Sequence, residues 1–211
     1  MIIVSLKPDA KGELFRIGFS DGSLFSFRNC YLPPELQNAH LVDPASAEGR
    51  EITAAEEAAF RGASACLRTE KAALRLIARA EQCTAGLSRK LEKRGHERAS
   101  VNAVISRLSS LRLLDDSRYA ELWLESRLRL TRSPRRLLIS LCAHGIDRGD
   151  AEAAMKKVLN EEAEFAMIGR YTKKYAAKAG GKVEDLTRSL KHLLKGEGFS
   201  QAAIQRFLNI E

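Results

Sequence analysis

The chain has 211 residues, 35 Lys/Arg against 27 Asp/Glu for a net charge of +8, and 45% hydrophobic residues, which is enough to bury a core without staples. Its four cysteines, Cys30, Cys66, Cys83 and Cys142, stand far apart with no CxxC, which argues against a zinc site or a disulfide framework and for reduced thiols. No stretch approaches the roughly 18 apolar residues of a membrane span, and Met1-Ile2-Ile3-Val4 lacks the basic residues that open a signal peptide, so a soluble, cytoplasmic protein is expected.

Short strands are expected at Ile2 to Lys7, Glu13 to Phe19 and Ser23 to Phe27, with turns at Pro8 to Gly12 and at Asp21-Gly22. Leu14, Phe15, Ile17 and Phe19, then Leu24, Phe25 and Phe27, supply the apolar positions of a hairpin or a three-stranded sheet. A sheet so small is marginal alone and needs a helix or a partner over one face. Residues 31–52, with Pro33, Pro34, Pro44 and Gly49, read as loop with room for a short turn. Thr53-Ala54-Ala55-Glu56 has the spacing of a capping box and predicts a helix to about Gly62. A second helix is predicted from Leu67 to Glu81, with Leu74, Ile77 and Ala78 on its apolar face and Arg68, Lys71, Arg75 and Arg79 around the other.

A fixed spacing then recurs three times: Leu87-Leu91-Gly95, Leu137-Leu141-Gly145 and Leu190-Leu194-Gly198, the glycines 50 and 53 positions apart. Leucines at i and i+4 share one helix face, and a glycine four residues on stops the helix in the left-handed conformation. Six residues past each glycine stand Val101, Ala151 and Ile204; nine past, Val104, Ala154 and Phe207; ten past, Ile105, Met155 and Leu208. That is the buried stripe of a second helix. Thr84, Ser133-Pro134, Asp147 and Ser200 suit the helix starts. Such a helix pair cannot bury its apolar face alone, so neighbours must stack on it or a third helix must join. Linking helices are predicted from Asp115-Asp116 to about Leu130 and from Glu161 to Ala179, the latter broken at Gly180-Gly181, and the third unit has no room for a further long helix before Glu211.

Charge follows this division. Residues 1–65 carry 6 Lys/Arg against 9 Asp/Glu, and residues 66–211 carry 29 against 18, net −3 and +11. A basic repeat region suggests a polyanionic partner, nucleic acid or an acidic protein surface. The densest cluster is Arg127, Arg129, Arg132, Arg135 and Arg136, which crosses from one helix end into the next. Arginine suits bidentate contact with carboxylates and phosphates, although a solvated helix end would also hold such residues. Lys90, Lys93 and Arg94, with Arg98, form another cluster; Lys173, Lys174, Lys178 and Lys182 form a looser one that reads as solvated surface. Asp115 and Asp116 resemble a catalytic pair, but adjacent helical residues do not face each other, and capping is the better reading. Tyr119 and Trp123, at i and i+4, are read as packing in preference to base stacking. His96 and His144 sit beside repeat glycines without partners for metal or nucleophilic chemistry. With no GxGxxG, P-loop or GxSxG, no catalytic residue, metal or cofactor is expected.

The ordered set Lys90-Leu91-Glu92-Lys93-Arg94-Gly95, Val101 to Leu108, Leu114-Asp115-Asp116 and Arg118-Tyr119-Ala120 closely resembles the RecX family of recombination regulators. Ser133 through Val158 and Gly198-Phe199-Ser200 with Ile204 fit the same pattern, so the resemblance runs from about Glu70 to Glu211. It implies a mainly α fold of tandem three-helix repeats in an elongated, curved arrangement; the small N-terminal hairpin or three-stranded sheet, within residues 1–65, lies outside the family's common pattern. The domains would be an extension over 1–65 and a repeat domain over 66–211, with repeats near 67–110, 115–159 and 161–211. It further implies a non-enzymatic protein that binds the RecA–DNA filament and limits the ATPase, strand-exchange and co-protease activities of RecA; a monomer is expected. By charge, the contact is expected through the clusters Arg127, Arg129, Arg132, Arg135, Arg136 and Lys90, Lys93, Arg94. Two other readings fit the basic balance: a helical protein acting directly on DNA without RecA, and an adaptor for another acidic partner. Against the first, the second helices lack a clustered base-reading pattern.

Overall fold

Strands β1 (Ile3–Pro8), β2 (Leu14–Phe19) and β3 (Leu24–Arg28) form an antiparallel meander, so the sheet is the three-stranded one. The computed structural model describes residues 1–10, 12–38, 47–130, 132–179 and 183–209 and, except over 175–188, their side chains. Aspartates close both hairpins: Asp9 Oδ1 accepts from the backbone N–H of Glu13 and Leu14 (3.0 and 3.1 Å), and Asp21 Oδ1 from that of Ser23 (2.9 Å). Ile3 pairs with Phe19 and Leu6 with Ile17, with a register shift between Ile3 and Ser5. Strict alternation would set Ile3 and Leu6 on opposite faces; the bulge turns both inward and leaves Val4 58% exposed.

A 3₁₀ turn at Asn29–Tyr31 follows β3, and the region expected to be loop with a short turn carries a short helix α1 (Pro34–Asn38), started by Pro34, whose fixed φ suits a first helical position. Pro44 lies outside the described residues. Residues 50–52 then run beside β1, with the Ile3 N–H donating to the Arg50 carbonyl (2.9 Å) and the Ile52 N–H to that of Met1 (2.8 Å).

The two helices expected between Thr53 and Glu81 are one, α2 (Ala54–Ile77). Its capping box is complete: the Glu56 N–H donates to Thr53 Oγ1 (3.2 Å) and the Thr53 N–H to Glu56 Oε2 (2.8 Å). Those bonds hold the Glu56 carboxyl below its usual range. Gly62 does not end the helix because it lies on the exposed side with open space around it. Its cost of about 1 kcal/mol relative to alanine is outweighed by Phe60, which packs on Phe19 and Phe27 of the sheet at ring separations of 6.0 and 5.3 Å. The buried stripe begun at Phe60 continues through Ala63, Leu67, Glu70, Ala73 and Leu76, which leaves Leu74 and Ala78 exposed, contrary to the predicted face. Glu70 is buried; both of its carboxylate oxygens accept from Arg28 Nε (3.1 and 3.0 Å), and Arg28 Nη1 also donates to Glu13.

Past α2 come α3 (Thr84–Glu92), α4 (Arg98–Ser110), α5 (Asp116–Arg127), α6 (Pro134–His144), α7 (Arg148–Val158), α8 (Glu161–Ala179), α9 (Val183–Gly196) and α10 (Gln201–Leu208). The chain divides into two compact units, Met1–Gln82 with Leu87–Leu114, and Cys83–Gly86 with Asp115–Glu211. In the first, one cluster joins the sheet to Phe60 and Ala63, and another joins Ala73 and Leu76 of α2 to Leu87, Leu91, Val101, Val104 and Leu108, so α2 supplies the third helix that the first pair needs. In the second, a single cluster holds α5 to α10, including Leu137, Leu141, Ala151, Ala154, Leu194 and Ile204. Lys157 of α7 pairs with Glu121 of α5 (2.6 Å), and Arg206 of α10 lies over the Phe165 ring of α8 (5.1 Å). No helix among the described residues is long and apolar enough to cross a membrane.

The repeat is built as its spacing predicts. Gly95, Gly145 and Gly198 have φ of 83°, 95° and 84°, and the next N–H donates to the carbonyl of the second leucine each time: His96 to Leu91 (3.3 Å), Ile146 to Leu141 (3.2 Å) and Phe199 to Leu194 (3.2 Å). A fourth turn of this kind follows α4. The Leu113 N–H donates to the Leu108 carbonyl (2.9 Å), and the left-handed position is held by Arg112, φ 54°. The expected break at Gly180-Gly181 lies outside the described residues.

Candidate partner-binding site

The arginine cluster is built by a helix end, a linker and a helix start. Arg127 closes α5, where a cation suits the dipole, and its guanidinium lies 5.4 Å from the centre of the Trp123 ring. Arg170 of α8 caps the same helix, its Nη2 donating to the Leu128 carbonyl (2.6 Å), a role with no signal in the sequence. Ser133 caps α6: it is buried, accepts from the Arg136 N–H (3.4 Å) and donates to the Glu197 carboxylate. Pro134 follows at the first helical position.

The five arginines are not equivalent. Arg127 is half-buried against Trp123. Arg135 is drawn to the turn after α9, its backbone N–H donating to the Glu197 carbonyl (3.0 Å) and Nη1 to that of Gly196 (3.3 Å). Arg129, Arg132 and Arg136 are exposed, and among the described residues their side chains make no hydrogen bond or ion pair. Arg135 and Arg136 stand in the first turn of α6, which contains no acidic residue, at the end where the helix dipole disfavours cations. Arg135 and Arg136 thus stand against the local field, and the guanidinium donors of Arg129, Arg132 and Arg136 are open. The outer face of α6 continues past them with Ile139, 58% exposed, then Cys142 and Ala143, also exposed. Ile139 lies two positions on from core Leu137, about 200° around a helix of 3.6 residues per turn, which places it away from the leucine stripe.

The other basic residues belong to different surroundings. Lys90, Lys93 and Arg94 are exposed and lie in the first compact unit, Lys90 Nζ donating to Gln82 Oε1 (2.6 Å). The arginine cluster lies in the second. Lys173 and Lys174 are exposed; the Lys178 side chain and Lys182 are outside the described residues.

The residues that resemble chemistry are occupied in capping and packing. Asp115 Oδ1 accepts from the Arg118 N–H (2.9 Å) and caps its own helix. Asp116 Oδ1 accepts from the backbone N–H (2.7 Å) and hydroxyl (3.0 Å) of Thr84, so it caps α3, and Thr84 is the first residue of that helix instead of its own cap. Trp123 and Tyr119 pack on the core and on His144, at ring separations of 5.3 and 6.5 Å. His144 Nδ1 lies 2.7 Å from the Ser140 carbonyl, which only accepts, so Nδ1 carries the proton. The Thr69 hydroxyl gives its one proton to the Ala65 carbonyl (2.9 Å) and so accepts from His96 Nδ1 (2.9 Å). Burial pushes the Cys66 thiol up, away from thiolate reactivity. Among the described residues, no group of three His, Cys, Asp or Glu side chains is placed to hold a metal ion.

Two family models match this chain: "RecX, first three-helix domain" over residues 70–108 and "RecX, second three-helix domain" over residues 115–155. The regulatory protein RecX of Treponema pallidum (strain Nichols) is 32% identical over 147 residues, which are 69% of this chain and 87% of that protein. That of Thermus thermophilus is 35% identical over 127 residues, 60% of this chain and 80% of that protein. A crystal structure of regulatory protein RecX shares the fold with a TM-score of 0.72 at 15% identity, covering 99% of this chain and 98% of its own. RecX from Lactobacillus salivarius does so with a TM-score of 0.57 at 20% identity, over 69% and 96%.

Proposed function

This chain belongs to the RecX family of regulatory proteins, and from that premise we propose that it binds the filament RecA forms on DNA and restrains its ATPase, strand-exchange and co-protease activities. The observation that carries the reading is the exposed, unpaired set Arg129, Arg132 and Arg136 across the linker and the start of α6. Long-range attraction by these cations speeds encounter with an anionic filament surface, and their forked donors hold its carboxylates or phosphates. Inhibition is steric and electrostatic: a helical-repeat region spanning residues 66–211 wedges across adjacent protomers. Lys90, Lys93 and Arg94 add contacts from the first repeat. The protein acts as a cytoplasmic monomer and as a binder, without catalysis, cofactor or metal; Asp115 and Asp116, the pair most like a catalytic dyad, both cap helices.

Substoichiometric addition to RecA, single-stranded DNA and ATP lowers ATP hydrolysis, and an unchanged rate at equimolar protein overturns the reading. Arg132→Glu with Arg136→Glu raises the half-inhibitory concentration at least about tenfold without lowering the melting temperature, since a carboxylate suits the first turn of α6. Arg135 is left intact in that variant because its guanidinium also holds the Gly196 carbonyl. The same open arginines favour a second reading, direct action on DNA without RecA. Salt-sensitive binding to DNA with no affinity for RecA selects that one.

A further inference from the structure

The outer face of α6 is half basic and half apolar. Arg132 precedes the helix, Arg135 and Arg136 stand in its first turn, and Ile139 follows at i+4 and i+3 from them, on the same face. Ile139 is 58% exposed in a protein whose other α6 aliphatic residues, Leu137 and Leu141, are fully buried or, in Leu138, packed against the core. The next turn of that face carries only Cys142 and Ala143, whose small side chains leave the flank of Ile139 open. A phosphate backbone rewards the arginines and gains nothing from an exposed branched alkyl group; a polypeptide rewards both.

Resting on the reading of the chain as a RecA-directed regulator, we propose that this face of α6 docks an acidic polypeptide segment of the partner, with its carboxylates on Arg132 and Arg136 and an apolar side chain seated against Ile139 one turn further on. Charge complementarity selects the occupant: α6 holds no carboxylate, and its open guanidinium groups have no acidic counterpart among the described residues. The carboxylates supply orientation and rate of encounter, and the apolar contact, once covered, supplies residence time.

The test uses the full chain with the single change Ile139→Ser, which alters no charge. Two readouts run side by side: inhibition of the RecA filament's ATPase, and binding of a labelled single-stranded oligonucleotide without RecA. The expected result is a half-inhibitory concentration raised about tenfold, with oligonucleotide affinity changed by less than about twofold and the thermal midpoint unchanged, since Ile139 is exposed. Wild-type protein without effect on RecA overturns the functional reading together with this inference. Wild-type inhibition matched by the Ile139→Ser variant overturns this inference alone. A parallel loss of oligonucleotide binding also overturns it, by showing that nucleic acid covers the face.

Discussion

The turns at Gly95 and Gly145 have the same backbone and different reasons for needing glycine. Both lie in the left-handed region, and after both the next N–H returns to the second leucine of its helix. At Gly95 an added Cβ meets nothing within 4 Å, so only the backbone angle asks for glycine. At Gly145 it would sit 2.4 Å from the Ala85 Cβ, so the backbone angle and a neighbour both ask for it. The residue after the turn differs as well: His96 bonds Thr69, whereas Ile146 is buried in the core. Identical local signals therefore mark identical local geometry and say nothing about what packs there.

The largest effect that separates the two turns is the alanine exchange. Gly145→Ala loses about 2–4 kcal/mol from backbone strain plus overpacking, and Gly95→Ala about 1 kcal/mol from strain alone. Urea unfolding measures both, and equal losses would break the comparison. The next contrast is between the aspartates. Asp116→Ala leaves two donors of Thr84 unbound and costs about 2 kcal/mol, whereas Asp115→Ala removes one cap bond for about 1 kcal/mol. Thermal melts of the two variants rank them, and a larger loss at Asp115 would refute the assignment of caps. The smallest is a gain. Arg112 occupies the left-handed place that glycine holds in the three repeat turns, so Arg112→Gly raises stability by about 0.5–1 kcal/mol. A lower denaturation midpoint in that variant would show that the arginine side chain contributes more than its backbone angle costs.

The repeat turns were legible because each rests on signals within about three helical turns: an i, i+4 leucine pair and a glycine, followed after Gly145 and Gly198 by a capping Asp or Ser. The turn after α4 was not, although Val104, Leu108 and Arg112 keep the same four-residue steps, because an arginine stands where glycine marks the others. The continuity of α2 through Gly62 was missed for a related reason. A glycine on an exposed face reads as a stop, and only the aromatic packing of Phe60 on the sheet shows why the helix continues. Within the candidate site, the arginine run was visible as composition. That it divides into Arg127 on Trp123, Arg135 on the turn after α9, and three open residues was not, since the Gly196 and Glu197 carbonyls lie more than sixty residues away.

The repeat helices with their glycine turns, the small sheet, the basic character of the repeat region and the family follow from the sequence, because these depend on periodicity, capping and local charge. Tertiary structure alone decided that Asp116 caps another helix, that α2 completes the first repeat while covering the sheet, and which arginines remain open. Each of those depends on residues distant in sequence meeting in space, where burial and hydrogen bonding select partners that no local pattern encodes.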